Sequence, residues 1–514
     1  MLQVNHLTLT HKKDLRTLVQ DLSFVCNYGD KVAIIGEEGN GKSTLLQWIF
    51  DSERIETYCQ WTGTVSGAQG AGYLTQQLSE EEKHLSIYDF CMKSENFLEL
   101  SYGELTDIAR HLSFPVDEYY SERSVATLSG GERIKLQISR LMFDKPSVLL
   151  LDEPSSDLDL STLHWLEGII SGFPGIVLFI SHDEMLMEKT ATAILHIEHP
   201  REGEPPRCTF SRLEYATYVD RRSHSISDQE RRARKEKEEY DDKMERYRRI
   251  QQSVEHAQNA VSRQDPATGR LLKKKMHAVT SMGRRFEKEA ENMTKLPKVE
   301  EAVFLRFSPE IALPAGKTVL DLQLDVLYAG ERALARNIRL SVCGGEKIGI
   351  MGQNGVGKTT LLRMIARQLC ARRDLCAVYM PQDYADILPK EQTPLDFLAP
   401  SGHRDDVKRA SIFLGSIRFA REEMFHPIKE LSGGQKAKVF LTQMMLNDAN
   451  VLVMDEPTRN FSPLSQPRIR SVLQEYTGSI IAVSHDRRFL YEVCDKVYCL
   501  TEFGLSEIDK ETIL

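Results

Sequence analysis

The sequence predicts an α/β protein: two α/β domains in tandem, joined by a long antiparallel α-helical hairpin. Three observations carry this. Four short motifs recur in the same order in both halves of the 514 residues. Each half holds short, continuously apolar runs of the kind that form strands buried on both faces. Between the halves lies a highly charged stretch whose apolar residues return every seven positions.

The length exceeds what one hydrophobic core organises, so two or more domains are expected. Hydrophobic residues make up 41% and charged residues 27%, as in an ordinary globular protein. No apolar run approaches the roughly 18 residues of a membrane span, and "MLQVNHLTLTHKK" lacks a secretory apolar core. A cytoplasmic location is the expectation. The nine cysteines form no C-x-x-C pair, which suggests neither a zinc site nor a disulfide framework. Cys494 and Cys499 read as packing residues.

The repeat pairs "GEEGNGKST" from Gly36 with "GQNGVGKTT" from Gly352, and "LSGGE" with "LSGGQ". It also pairs "VLLLDEPS" with "VLVMDEPT", and "ISHD" with "VSHD". Ser129 and Ser432, Glu153 and Glu456, and His182 and His485 are each separated by the same offset. That makes a duplicated domain. "DKVAIIG" and "EKIGIMG" predict strands running into a glycine turn and a helix. "VLLLD", "VLVMD", "GIVLFISHD" and "GSIIAVSHD" predict further strands.

G-x-x-x-x-G-K-[ST] lets backbone N–H groups close around phosphates at a helix N-terminus. Gly36, Gly39, Gly41, Lys42, Ser43 and Thr44 form the first such loop, and Gly352, Gly355, Gly357, Lys358, Thr359 and Thr360 the second. Lys42 and Lys358 are placed to reach β- and γ-phosphates, and Ser43 and Thr359 to ligate Mg²⁺. Asp152 and Asp455 end apolar strands, where a carboxylate holds Mg²⁺ directly or through water. Glu153 and Glu456 follow, placed to polarise an attacking water. ATP and Mg²⁺ are therefore the expected cofactors.

"LSGG" identifies a resemblance to ATP-binding-cassette proteins. That resemblance implies two cassettes in a head-to-tail sandwich with ATP between them. Ser129, Gly130 and Gly131 then face the nucleotide on Lys358, and Ser432, Gly433 and Gly434 the one on Lys42. It implies that Gln76 and Gln382 are the glutamine-loop residues that sense Mg²⁺ and the water. His182 and His485 become the switch histidines. Three departures stand out. Glu38 occupies the place of Asn354 in the first phosphate loop. Ser462 occupies the place of Asp159, so the two sites are expected to be unequal. For adenine stacking only Tyr328 offers itself, in the second half.

In the middle segment, Arg221 to Glu300, 21 basic residues stand against 14 acidic ones, although the whole chain carries a net charge of -9. Ile226, Ala233, Tyr240, Tyr247, Val254 and Val261 recur every seven residues, with Met244, Ile250 and Ala257 between. This predicts a helix from about Ser227 to Arg263, ~55 Å long. "QDPATG" predicts a turn. Leu272, Met276, Val279, Met282, Phe286, Ala290 and Met293 predict the returning helix. The distal part concentrates Arg263, Arg270, Lys273, Lys274, Lys275, Arg284, Arg285 and Lys288 against Asp265 and Glu287. A solvated helix needs no such bias, whereas a helix lying on RNA phosphates does.

Tandem cassettes around a charged helical hairpin resemble the ABC-F family of translation factors. "DEPTRNFSPLS" and "SRQDPATGRLLKKKM" resemble its Vga/Lsa-type branch, the antibiotic-resistance ribosome-protection proteins. The expected domains are residues 1–220, 221–300 with a tip near 264–272, and 301–514. The resemblance implies an ATPase acting as a monomer on the ribosome, with large-subunit rRNA and P-site tRNA as partners. ATP-bound protein sits in the E site, and the hairpin displaces lincosamides, pleuromutilins and streptogramin A compounds near the peptidyl-transferase centre. A housekeeping factor for stalled ribosomes and the ATPase subunit of an exporter are the competing expectations. From Gln76 to Ser129 is barely longer than from Gln382 to Ser432, so little or no extra arm is expected in the first cassette, nor a long C-terminal extension.

Overall fold

The computed structural model describes residues 1–514 apart from 157, 200–204, 261–265, 292, 295–306, 308–310, 385–386, 418, 420 and 514. The side chains of 258–260, 266–270, 272, 287 and 291 also lie outside the description. The chain divides into two compact units, Met1–Ala216 with Glu300–Leu514, and Thr217–Val299.

The first unit contains the duplication. In the first half a six-stranded sheet runs in the order Gly72–Leu74, Val148–Asp152, Ile176–Ile180, Lys31–Ile35, Ala193–Glu198, Arg207–Ser211. All neighbours pair in parallel except the last two strands, which pair antiparallel. The second half repeats the order with Ala377–Met380, Val451–Asp455, Ser479–Val483, Lys347–Gly352, Lys496–Thr501 and Gly504–Ile508. Every residue of Val148–Asp152 and of Val451–Asp455 is buried, which is why these runs are continuously apolar rather than alternating.

An antiparallel sheet packs beside each core, formed by Thr17–Cys26, Leu2–His11 and Cys59–Ser66 in the first half and by Thr318–Ala329 with Arg332–Cys343 in the second. A separate helical cluster with its own aromatic core, including Phe90, Phe97, Tyr119 and Phe143, supports the helix Gly130–Phe143. That helix begins at the first LSGG. Cys494 is buried in the second core and Cys499 packs against it. All nine cysteines are free.

The second unit is the hairpin. Its first helix spans Tyr215–Ala260 and its second Pro266–Glu291. Successive contacts join Glu236 to Thr294, Lys243 to Glu289 and Tyr247 to Phe286. As one number rises the other falls, so the helices are antiparallel. Tyr247 and Phe286 meet edge to face with centroids 5.9 Å apart. Gly283 sits where a Cβ would come within 2.7 Å of the Tyr247 hydroxyl.

Three details differ from the sequence expectation. The first helix starts twelve residues before Ser227 and is described as far as Ala260, the expected end at Arg263 lying outside the described residues. Pro266 to Gly269 lie in the second helix rather than in a turn, because proline is well suited to a helix start, where its missing N–H costs nothing. Ile250 and Met282 are 45% and 41% exposed, and Ala290 is also exposed. A 3.6-residue turn carries these positions off a contact line drawn with a seven-residue period. Val261, Arg263, Gln264 and Asp265 lie outside the described residues, as do the side chains of Arg270, Leu272 and Glu287.

Candidate nucleotide sites

Each phosphate loop leaves a buried central strand and enters a helix, Lys42–Phe50 or Lys358–Cys370. Gly36 and Gly352 open them at φ 152° and 151°. A Cβ at either would lie 2.3 Å from the carbonyl oxygen of Ile197 or Leu500 on the neighbouring strand. Only glycine lets the loop turn this close to the sheet. Gly39, Gly41, Gly355 and Gly357 also hold positive φ.

The Lys42 ammonium donates to the carbonyls of Gly36 and Glu37 at 2.9 and 2.8 Å. Lys358 does the same to Gly352 and Gln353 at 2.7 and 3.0 Å. Both lysines are thereby held within their loops, above the helix N-terminus where phosphate binds. Thr44 and Thr360 are half-buried in the first helical turn.

The Ser43 hydroxyl donates to Asp152 at 3.0 Å, and Tyr73 donates to the other carboxylate oxygen at 3.2 Å. In the second site neither oxygen of the buried Asp455 has a well-formed hydrogen bond among the described residues, although the Thr359 hydroxyl is close enough to lower its pKa. Burial raises the pKa of both aspartates. A hydroxyl beside a carboxylate, with a buried oxygen lacking a well-formed hydrogen bond, fits a hard cation that takes its remaining ligands from phosphate and water. Ser43 with Asp152, and Thr359 with Asp455, would hold Mg²⁺. Among the described residues no cluster of three His, Cys, Asp or Glu offers a metal site of another kind.

Glu153 and Glu456 both adopt left-handed backbone conformation, at φ 50° and 53°. Their surroundings differ. Glu153 accepts from Gln76 at 2.9 Å and from Ser156 at 3.1 Å, and lies 3.6 Å from His182 Nε2. Burial pushes its pKa up, but His182 and Ser156 overcome that and hold it at about 2. Glu456 accepts from the His485 backbone N–H at 3.2 Å and from Ser484 at 3.4 Å, with His485 Nε2 at 3.9 Å. Burial pushes its carboxyl up to about 8, against the His485 N–H. Gln382 is half-buried and donates no hydrogen bond to Glu456 among the described residues.

Ser129 and Ser432 are the N-caps of the LSGG helices. Each hydroxyl accepts from the backbone three residues on, at Glu132 or Gln435, whose side chain in turn accepts from the serine backbone N–H. This reciprocal cap leaves the following N–H groups, at Gly130 and Gly131 or Gly433 and Gly434, pointing out of the helix start.

A cavity of about 1240 Å³ is walled by Glu37 to Asn40, Gln76, Glu153 and His182 from the first half and by Ser432, Gly434 and Asn460 from the second. A Cβ on Gly433 would lie 3.1 Å from the Glu38 carboxylate. The first phosphate loop and the second LSGG therefore share one site. Ser129 lies at the start of the first LSGG helix and Lys358 at the start of the helix after the second phosphate loop. The charge that reaches across there belongs to Asp159. It acts on Lys358, where it opposes the larger effect of burial, and it interacts with His485.

Asp159 caps the helix Leu160–Gly172 through a 2.9 Å bond from the Thr162 N–H. Ser462 cannot serve its helix in this way. It is buried against Ser465, and the corresponding helix starts only at Gln466. Across the same contact, His182 Nδ1 lies 3.3 Å from the Phe461 carbonyl, and Gln466 donates to the His182 carbonyl at 3.1 Å.

Sequence reasoning missed Arg16 and His199, which meet at 3.0 Å and line the cavity with Thr17. It also missed Lys438 and Arg459 on the opposite wall. Arg16, His199 and Lys438 belong to no spaced motif, and Arg459, although it lies within DEPTRNFSPLS, gave no sign of facing this cavity. Tyr328 is 56% exposed on an edge of the second half.

The family model described as ABC transporter matches residues 19–156 and 335–459, together just over half of the chain. The ribosome protection protein VmlR of Bacillus subtilis (strain 168) is 27% identical, over 96% of this chain and 85% of that protein. The tylosin resistance ATP-binding protein TlrC of Streptomyces fradiae is 28% identical, over 93% and 94%. ABC transporter F family member 5 of Arabidopsis thaliana is 24% identical, over 95% and 74%. Among solved structures, an archaeal ribosome recycling factor aABCE1 superposes with a TM-score of 0.58 at 17% identity, covering 98% of this chain and 90% of that one. The RNase-L Inhibitor superposes with a TM-score of 0.54 at 18% identity, covering 94% and 86%. These two share the tandem fold. The resemblance to ABC-F and ribosome-protection proteins is borne out by the relatives. The chain belongs to the ATP-binding-cassette family, as an ABC-F-like ATPase with two cassettes and a helical-hairpin linker.

Proposed function

We propose that this protein is an ATP-controlled ribosome-binding factor that protects the ribosome against antibiotics. The observation that carries the reading is the hairpin surface. Lys273, Lys274, Lys275, Arg284 and Arg285 are all exposed, and none is ion-paired to a described residue. A run of unneutralised cations on a two-helix rod suits a phosphate-lined groove or tunnel. Full-length relatives named for ribosome protection and tylosin resistance support the same reading.

In this reading ATP binding closes the cassettes, with Lys42, Lys358, Ser432 and Ser129 on the nucleotides; Ser43 with Asp152 and Thr359 with Asp455 would hold Mg²⁺, which would neutralise phosphate charge. Glu153 and Glu456 orient the attacking waters, with His182 and His485 beside them. The closed monomer docks in the E site in the cytoplasm. The hairpin end near 264–272 acts on P-site tRNA and large-subunit rRNA near the peptidyl-transferase centre. Lincosamides, pleuromutilins and streptogramin A compounds are displaced from there. Hydrolysis then opens the cassettes and releases the ribosome. Among the described residues no helix is long and apolar enough to cross a membrane, so an exporter role would need a separate membrane partner.

The test uses the Glu153→Gln, Glu456→Gln double variant, sedimented with ribosomes with and without ATP. ATP-dependent co-sedimentation is expected. Absence of association at low salt with ATP bound would overturn the reading. Expression in a susceptible host, with drug sensitivity unchanged, would leave ribosome binding but reassign the role to a stalled-ribosome factor.

A further inference from the structure

The constant offset between the halves makes Glu167 the counterpart of Arg470, Glu184 of Arg487, and Lys189 of Glu492. All three pairs are inverted in charge. The structure places the first two in one buried contact between the cassettes. The Arg470 guanidinium grips both carboxylate oxygens of Glu184, at 3.1 and 2.9 Å. Arg487 lies 2.6 Å from Glu167 and 3.2 Å from Asp183. These are the same contact seen from each side of an approximate twofold: position 184 of one cassette against position 167 of the other. Within the cassettes, Lys189 sits 3.5 Å from Glu167, and Glu492 sits 2.7 Å from Arg470. That pair, too, is inverted between the halves. Glu167, Glu184, Arg470 and Arg487 are all at most 9% exposed.

A twofold contact between identical partners occurs twice: residue i of one partner meets residue j of the other, and j meets i. Two first cassettes would oppose Glu184 to Glu167 at both contacts. Two second cassettes would oppose Arg487 to Arg470. Both arrangements bury like charges at close range, where the dielectric is low and the repulsion large. Only a first cassette against a second sets opposite charges together at both of these contacts. Nothing in the nucleotide motifs makes this distinction, because those motifs are nearly the same in both halves.

We propose that the inverted charges at 167/470 and 184/487 are a pairing code: the acidic face of the first cassette accepts the arginine face of a second cassette and rejects its own kind. The code confines the ATP sandwich to one cassette of each type and prevents like cassettes of two chains from forming crossed sandwiches. It draws on the ATPase and not on the ribosome reading.

The experiment uses full-length chains of two kinds. The first carries Glu167→Arg, Glu184→Arg and Lys189→Glu, so both its faces are arginine faces. The second carries Arg470→Glu, Arg487→Glu and Glu492→Lys, so both its faces are acidic. A third, the six-site chain, carries all six inversions together with Asp183→Asn and Arg488→Gln, because Asp183 lies against position 487 and Arg488 against position 184; it restores complementarity with the signs exchanged. Phosphate release and molar mass by light scattering are measured at low salt. Each three-site chain is expected to lose about tenfold or more of its ATPase, as like charges are juxtaposed. Equimolar mixing of the two should restore activity and give a species of twice the chain mass. The six-site chain should be active as a monomer without mixing. ATPase unchanged in the three-site chains overturns the proposal. So does a six-site chain no more active than they are. Should the three-site chains fail to fold, the six-site chain decides alone: folded and active supports the code, unfolded overturns it.

Discussion

The Gln76 amide donates a 2.9 Å hydrogen bond to the Glu153 carboxylate, while Glu456, at the equivalent place, is held by the backbone N–H of His485. The first carboxylate is tied to Gln76 and sits beside His182, and its pKa is held at about 2. The second is pushed up to about 8 by burial. The two sites are chemically unequal before any nucleotide enters.

Single substitutions should expose that inequality. Removal of a positioned general base costs about 10²–10⁴ in the step it serves. Glu153→Gln is expected to remove most of the ATPase, and Glu456→Gln to leave most of it. Phosphate release measured side by side checks this, and equal losses would count against the asymmetry.

The buried Asp455 should behave unlike Asp152. A buried ionised oxygen without a well-formed hydrogen bond costs stability, by roughly 1–3 kcal/mol. Asp455→Asn is therefore expected to raise the melting temperature of nucleotide-free protein by about 2–4 °C. Asp152→Asn disturbs the bonds from Ser43 and Tyr73 and should lower it. Both should weaken Mg²⁺-dependent ATP binding. Differential scanning fluorimetry without and with MgATP separates the two effects.

The hairpin depends on its aromatic pair. An edge-to-face contact such as Tyr247 with Phe286 is worth about 0.5–1.5 kcal/mol beyond the area it covers. Tyr247→Ala should speed limited proteolysis within 217–299 several-fold without altering basal ATPase. Gly283→Val should do the same, because its Cβ would press on the Tyr247 hydroxyl. Unchanged cleavage would remove the pair from the account of the hairpin's stability.

Replacing Lys273, Lys274 and Lys275 with Ala should weaken ribosome binding and flatten its salt dependence. Each lost phosphate contact lowers the slope of log K against log salt by about 0.7–0.9. A slope equal to that of the unaltered protein would mean that these lysines do not lie on phosphates.

Stability should also depend on pH through Glu104. Its bond from Lys145, and then the Ser101 backbone N–H, hold its pKa at about 2, below the ordinary 4.5. A depressed carboxyl stabilises the fold above its unfolded pKa and loses that contribution as pH falls through the folded one. Glu104→Gln should therefore lower the melting temperature at pH 7, with the difference shrinking between pH 4.5 and 2. Thermal melts of both proteins across that range test it.

The sequence by itself determined what is local. The glycine-rich loops, the strand-end aspartates and the LSGG caps depend on short spacings that a chain carries with it, so the places of Gly36, Lys42, Asp152 and Ser129 in the fold were legible in their motifs. The strands were legible because doubly buried strands are continuously apolar, and the hairpin because its seam repeats. What only the tertiary structure decided is what meets across long separations. Ser462 in the place of Asp159 predicted unequal sites, but not that Glu153 and Glu456 themselves would sit in different electrostatic surroundings. Neither did Arg16 and His199 announce a shared wall, being 183 residues apart. The inversion of Glu167 and Glu184 into Arg470 and Arg487 was written in the sequence throughout. It became a pairing surface only once the fold buried those four side chains face to face, where a charge without its opposite is too costly to keep.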